Sequence, residues 1–267
     1  MKKVLPCMMA ILLAIPLMLC GCSCIGDGYS DKLKHIPDGD FLYYYMKDKD
    51  SYAISGITKQ GKGKDVLYFP AYYKNKLVTD IGYVTVDGIM SVHNLHRVFI
   101  EDMAVTKVYV PYTIADSWAL HVRSENDTNR QIYFANSDVR YLESAVDATT
   151  FPNRAEYYVT PAAHGYILRN IKDHGDIHIA NTSYMFNYEN APNGGCFFIN
   201  NFDTGGLIEN TPYAPRRDGY TFDGWYKEPE CKNIWKFEID TLQQAPQDES
   251  EGVIYQETKL YAKWIEN

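Results

Sequence analysis

Short apolar runs that stop at proline recur through the first half of this chain. Val66-Leu67-Tyr68-Phe69 runs into Pro70, Val108-Tyr109-Val110 into Pro111, and Tyr157-Tyr158-Val159 into Thr160-Pro161. Proline has no amide hydrogen to give to a ladder and holds its predecessor in extended geometry, so each run reads as a β-strand that ends at the proline. Val98-Phe99-Ile100 and Ile132-Tyr133-Phe134 are runs of the same kind. The aromatic content agrees, with 23 Tyr against 11 Phe and 4 Trp. Tyrosine favours strands and surfaces that are apolar on one side and wet on the other, which points to a β-rich exported protein.

Composition excludes several classes. With 46% hydrophobic and 22% charged residues the chain is neither disordered nor a polytopic membrane protein. Its 26 basic and 34 acidic residues give a net charge of −8, which becomes −10 if Lys2 and Lys3 leave with an amino-terminal signal. Such a chain repels phosphate backbones, so nucleic acid is not an expected partner.

Lys2 and Lys3 precede an apolar stretch, Met8 to Leu19, broken by Pro16 and followed by Cys20-Gly21-Cys22-Ser23-Cys24. A basic start and an apolar run too short to span a bilayer describe a secretory signal peptide, with an uncleaved single-span anchor as the alternative. Leu19, Gly21 and Cys22 together resemble the lipobox of bacterial lipoproteins. The resemblance implies removal of residues 1–21, lipid attachment at Cys22, and a protein held on the outer face of the cell membrane. Two acyl chains hold a protein on a bilayer where one would not. Residues 22–38 read as a tether. Of the four cysteines left after cleavage, Cys196 and Cys231 are the pair available for a disulfide in an oxidising compartment, which the sequence leaves open.

Beyond the tether, Tyr52 to Ile57 and Val66 to Phe69 flank Lys59-Gln60-Gly61-Lys62-Gly63-Lys64, which reads as two strands around a glycine-rich turn. Strand starts at 66, 98, 108, 132 and 157 are spaced by 32, 10, 24 and 25 residues. The last two intervals fit a leucine-rich repeat and the first two do not. Val66 to Ala71, Asn75-Lys76-Leu77-Val78-Thr79-Asp80-Ile81-Gly82, Leu95 to Ile100 and Lys107 to Pro111 resemble the bacterial-surface-protein type of leucine-rich repeat. That family writes an apolar strand ending in proline, a Val-Thr-x-Ile-Gly turn and a leucine that restarts the next strand. The resemblance implies a short β-solenoid over 39–182, in which stacked strands bury a slab that none buries alone.

The last third carries Asn193-Gly194-Gly195, Arg217-Asp218-Gly219-Tyr220-Thr221-Phe222-Asp223-Gly224-Trp225-Tyr226, Ile234-Trp235-Lys236-Phe237 and Leu260-Tyr261-Ala262-Lys263-Trp264. These strings resemble the internalin-type B repeat (Listeria-Bacteroides repeat) of bacterial surface proteins. By that resemblance residues 183–267 form a small β-grasp-like module. The residues support a β module independently: Asp218-Gly219 and Asn193-Gly194 suit turns with positive φ, and Leu260, Ala262 and Trp264 share a face of the closing strand. Trp225, Trp235 and Trp264 supply the aromatic core that so small a unit needs. The expected fold class is therefore mainly β: a short leucine-rich-repeat-like β-solenoid followed by a β-grasp-like module.

The chemistry-bearing candidates are few. His174, Asp176 and His178 share a face if their segment is a strand, with His164 ten residues earlier, and a divalent metal is the ligand that two imidazoles and a carboxylate would take. That set defines the alternative reading, an extracellular metal-assisted hydrolase; ordinary surface histidines are the expected reading, with no metal and no cofactor. Gly56, Gly61, Lys62 and Gly63 nearly spell a phosphate-binding loop but lack the hydroxyl residue after the lysine and the helix beyond it. His93 and His96 near Glu101 and Asp102 accompany no nucleophile pattern. Asp248-Glu249-Ser250-Glu251 reads as a solvated loop. The tyrosine runs 43–45, 72–73 and 157–158 must send alternate rings to opposite faces, as cross-strand pairs or as contact surface. The expected function is non-catalytic: a lipid-anchored cell-surface scaffold that binds or adheres to a protein or polysaccharide.

Overall fold

A computed structural model describes residues 35–87, 92–96, 98–100, 103–115, 120–122, 130–138, 155–163, 177–202, 206–244 and 256–267. Strands β1 (Ile36–Asp38), β2 (Phe41–Met46) and β3 (Ser51–Ile57) form an antiparallel meander. Gly39, at φ +54°, makes its first turn. The folded part thus begins inside the segment assigned as tether, because Ile36 to Asp38 pair with Phe41 to Tyr43. One helical turn, α1 (Lys59–Lys62), follows in place of the expected glycine-rich turn, its first turn capped by the Thr58 hydroxyl. Then come β4 (Val66–Tyr68), β5 (Tyr72–Tyr73) and β6 (Lys76–Ile81). β6 pairs with β3 in parallel and with β5 antiparallel, so the first sheet runs β1-β2-β3-β6-β5.

β7 (Tyr83–Asp87) and β8 (Val92–His96) make an antiparallel pair. Next along the chain are β9 (Val98–Ile100), β10 (Lys107–Val110), β11 (Leu120–Val122), β12 (Arg130–Phe134), β13 (Ala155–Val159) and β14 (Ile177–Ile179). β4, β10, β12, β13 and β14 pair in parallel and in chain order. Val66 faces Lys107, Lys107 faces Gln131, Gln131 faces Glu156 and Tyr157 faces Ile177, so successive rungs lie 41, 24, 25 and 20 residues apart. Val98-Phe99-Ile100 does not belong to this series. β9 pairs with β11 in a separate two-stranded parallel sheet, which is why an interval measured through residue 98 fits no single repeat. Where Pro70 and Pro111 end the strands, pairing is carried past them by the Phe69 N–H to the Tyr109 carbonyl and the Ala135 N–H to the Val110 carbonyl.

Alternation splits this parallel sheet into two faces. One face sends Leu67, Val108, Ile132 and Tyr157 into a core shared with Ile54, Val78, Ile100 and Leu120. The other carries a single column of rings in register, Tyr68, Tyr109, Tyr133, Tyr158 and His178. Successive centroids in that column are 4.9, 4.6, 4.7 and 5.2 Å apart.

The carboxy-terminal sheet contains β15 (Thr182–Met185), β16 (Cys196–Asn200), β17 (Tyr220–Tyr226) and β18 (Thr258–Glu266) in the order β16-β15-β18-β17. Its first strand is parallel to its last, and the other two pair antiparallel to these. Asn193, Gly194 and Gly219 take positive φ as their sequence positions imply. Leu260 and Ala262 are fully buried, with Trp225 and Trp235 beside them and Trp264 half-buried. This sheet does not stand apart. Every residue of β16 is buried, and Phe198 stacks 4.8 Å from Tyr109. Tyr109, Tyr133 and Tyr158 therefore share one core with Tyr184, Phe197, Phe198 and Trp225. His35–Asn267 form one compact unit, so the regions read as two in the sequence are fused through a common aromatic core. Tyr157 and Tyr158, a candidate exposed pair, are both buried, one on each face. Cys196 and Cys231 are free thiols.

Candidate functional site

The groove of interest lies where the strand-ending loops of the parallel sheet meet the carboxy-terminal sheet. Asn193 builds the joint. Its amide donates to the carbonyls of Ala135 (2.7 Å) and Cys196 (2.8 Å), while its side-chain oxygen accepts from the Ser137 N–H and hydroxyl at 2.7 and 2.8 Å. Asn193 itself sits in the left-handed region, at φ 57°, which asparagine tolerates better than most residues. Asn136 adds a second brace, donating to the Tyr112 carbonyl and accepting from the Asp138 N–H at 2.7 Å.

These braces frame a pocket of about 500 Å³ lined by Tyr72, Tyr112, Asn136, Ser137, Asp138 and Asn193, with Leu77 and Pro192 at its rim. A second pocket of about 260 Å³ is lined by Pro70, Phe197, Tyr213, Pro215 and Arg216. Tyr72 lines both. Its hydroxyl lies 2.9 Å from that of Tyr112, and the Arg216 guanidinium sits 5.2 Å over its ring. The Tyr213 hydroxyl accepts the Ala71 N–H at 3.2 Å, tying the two sheets together again. Burial pushes the hydroxyls of Tyr112 and Tyr213 well above the ordinary tyrosine range. Both stay neutral hydrogen-bonding groups at any physiological pH.

The residues singled out from sequence are placed elsewhere or lie outside the described residues. Cys22, His164, His174, Asp176, Glu101, Asp102 and the acidic run 248–251 lie outside them. His178 is exposed at the open end of the ring column, 5.2 Å from Tyr158. Among the described residues no three His, Cys, Asp or Glu side chains gather to hold a metal. Gly61 has a structural role: a Cβ there would fall 2.3 Å from the Asp40 carbonyl oxygen, so the near phosphate-loop spelling marks a close backbone approach. Tyr43 and Tyr73 stack 3.8 Å apart in the core, and Tyr72 points instead to the groove. The groove residues Tyr112, Tyr213 and Arg216 escape sequence reading. The signal they leave is position: Tyr112, Tyr213 and Arg216 each directly follow a proline, and Tyr72 lies two residues past Pro70.

Residues 184–263 match the Listeria-Bacteroides repeat domain. No curated protein and no solved structure matches the chain. The matched segment therefore supplies Asn193 and Phe197 of β16 to the groove, and the preceding region supplies Tyr72, Tyr112 and Asn136. Its loops also fix Arg216 and Arg217 in different settings. Arg217 is stacked 3.6 Å from Tyr220 and 4.6 Å from Tyr188, inside the repeat itself, while Arg216 faces the groove. Among the described residues no helix is long and apolar enough to cross a membrane.

Proposed function

We propose that this chain is a non-catalytic cell-surface lipoprotein that presents a binding scaffold to a protein or polysaccharide. In this reading residues 1–21 are a signal peptide, Cys22 carries the lipid, and the folded part faces outward from the membrane. The parallel rows β4, β10, β12, β13 and β14 are read as a short leucine-rich-repeat-like β-solenoid. The repeat domain, with its first strand parallel to its last, is read as a β-grasp-like module. The observation that carries the proposal is the seating of β16 on the tyrosine column, which joins the two regions into one compact unit with a groove along the joint. A preformed concavity with apolar walls and a few fixed polar groups is what recognition requires.

Two experiments test it. Mass spectrometry of the mature amino terminus is expected to find a diacylglycerol-modified Cys22; an unmodified Met1 would remove the anchor. Soluble protein spanning 27–267 is expected to retain a partner in a pull-down or on a glycan array. Silence on both, together with turnover in an activity screen, would overturn the scaffold assignment.

A further inference from the structure

We infer that the groove takes a proline-rich peptide segment in the polyproline II conformation, with an acidic residue flanking its Pro-x-x-Pro core and paired to Arg216. The inference rests on the scaffold reading above and names a protein partner and the kind of segment it offers. It starts from the groove's surfaces. Pro70, Pro192 and Pro215 line the two pockets together with the rings of Tyr72, Tyr112 and Phe197, and Tyr72 belongs to both. Leu77, at the rim, leaves 41% of its surface exposed. Grooves lined by aromatic rings take extended proline-rich segments, whose backbone is already ordered and so loses little entropy on binding. A polyproline II helix has about three residues per turn, so the two prolines of Pro-x-x-Pro share one side and reach adjoining pockets.

The hydrogen-bonding groups choose among ligands with such surfaces. Asn136 and Asn193 are held by the chain itself, and the Ser137 hydroxyl donates to Asn193. The Thr113 hydroxyl donates to the Val78 carbonyl, and Asp138 is partnered as well. The Tyr72 and Tyr112 hydroxyls share one hydrogen bond, which uses one of their two O–H groups and leaves the other to donate. Arg216 is the second open donor. The lysines 49, 76, 227, 259 and 263 each pair with a carboxylate, whereas Arg216 makes no ion pair or hydrogen bond among the described residues. It sits over the Tyr72 ring and lines the smaller pocket. A groove whose open side-chain groups are donors suits a ligand rich in acceptors and poor in donors. A polyproline II backbone is such a ligand, because its carbonyls make no internal hydrogen bonds and proline has no N–H. A sugar brings a donor with each hydroxyl and would find the side-chain acceptors of the walls already engaged. The guanidinium adds the preference for an acid, since it meets a carboxylate through two parallel hydrogen bonds.

The test titrates full chain in detergent with synthetic peptides built on Pro-Ala-Ala-Pro, with one Glu on the amino or the carboxy side so that both directions of binding are sampled. Each is compared with its Gln counterpart and with a form whose prolines are replaced by Ala. One Glu peptide is expected to bind about tenfold or more tightly than its Gln form, the scale of a charge-assisted hydrogen-bonded pair. Replacing its prolines is expected to abolish binding. Arg216→Gln, at an exposed position, is expected to erase the preference for Glu while the proline core still binds. Leu77→Ser, at the exposed rim, is expected to weaken Glu and Gln forms by the same factor. Lys62→Gln alters an exposed cation of α1 outside the groove and is expected to change neither. No binding of any Glu peptide at millimolar concentration, equal affinity of Glu and Gln forms, or equal affinity of proline and alanine cores would each overturn the inference. So would an unaffected Arg216→Gln or Leu77→Ser variant, or a Glu preference lost equally in Lys62→Gln. If the peptides are silent while the glycan array captures a polysaccharide, the ligand class falls and the scaffold reading stands. If peptides, pull-down and array are all silent beside turnover in an activity screen, both fall.

Discussion

The two faces of the same parallel sheet are sealed by different means. On one face Leu67, Val108, Ile132 and Tyr157 share a core with Ile54, Val78, Ile100 and Leu120, all from the chain before the carboxy-terminal sheet. This is non-directional burial, in which each methylene removed from water contributes about 0.8 kcal/mol. On the other face a column of tyrosines is closed by residues far along the chain, with the Tyr109 hydroxyl donating to Asn200 and its ring stacked on Phe198. Aromatic pairs at these separations prefer fixed offsets and carry hydroxyls that need partners, so the column adds directional contacts to the burial that the sheet's aliphatic face relies on. The contrast shows how a repeat-domain module becomes part of another domain's core without a long linker. β14 ends at Ile179 and β15 begins at Thr182, leaving little room for the repeat to swing free.

Removing the repeat should have the largest effect. A chain ending at residue 182 would leave Tyr68, Tyr109, Tyr133 and Tyr158 uncovered as one exposed apolar patch. Such a truncation is expected to lose its cooperative thermal transition and to bind a hydrophobic dye. A truncated protein that melts as sharply as the full chain, with no dye signal, would show that the faces are independent and break the comparison.

Alkaline pH should act next, and chiefly on the tyrosine side. Burial pushes Tyr68 up to about 12, and pushes Tyr109 and Tyr184 further in the same direction. The buried thiol of Cys196, in the same core, is raised to about 12. Each of these groups is neutral when protonated, and the folded state holds its proton more tightly than the unfolded chain does. Their contribution is therefore complete below the unfolded values, near 9 for the thiol and near 10 for tyrosine, and declines as pH climbs from there through 12. Phenolate absorbance is expected to rise for these residues together with loss of near-ultraviolet dichroism. Full ionisation of every tyrosine near pH 10 with tertiary structure intact would contradict that. Cys196 should likewise react with a thiol reagent only after unfolding.

The aliphatic face offers a single-residue measure. Ile132 is fully buried, and Ile132→Ala should destabilise by about 2–5 kcal/mol through lost transfer energy and the cavity left behind. Denaturant unfolding with an unchanged slope would read it. A cost under about 1 kcal/mol would mean that the slab collapses around the gap and is looser than its close packing implies.

Much of the fold was legible, and the reason is local. Pro70, Pro111 and Pro161 punctuate strands through backbone chemistry that needs no partner, and the Gly219 and Gly194 turns do the same in the repeat. The 24- and 25-residue intervals were readable because β10, β12 and β13 pair in parallel register there. The series failed at residue 98, since a two-stranded sheet and a five-stranded one leave identical apolar triplets in sequence. The folded start at Ile36 was missed because Ile36-Pro37-Asp38 looks polar until Phe41 to Tyr43 turn back on it. The groove was least legible. Tyr72 is one tyrosine among 23, and nothing near it says that Asn193, more than a hundred residues later, will form the opposite wall. Alternation told which rings leave the first core; only long-range pairing tells that most of them enter a second.

The smallest change gives the sharpest comparison. Tyr109→Phe keeps the ring stacked between Tyr68 and Tyr133 and deletes one hydrogen bond, from the hydroxyl to the Asn200 side-chain oxygen at 3.0 Å. Asn200 is fully buried, its amide donates to the Glu209 and Asn210 carbonyls, and its oxygen keeps the Asn201 N–H. Because that oxygen is not orphaned, the loss should sit near 1 kcal/mol and not at the cost of an unsatisfied buried group. Tyr109→Leu, which also removes the stack on Phe198, should cost clearly more in the same thermal melt. Equal costs for the two variants would mean that the hydroxyl, and not the column of rings, holds the repeat in place. If instead Tyr109→Phe is neutral and Tyr109→Leu severe, stacking alone makes the joint, and the seam is a packed aromatic core that tolerates loss of its polar contact.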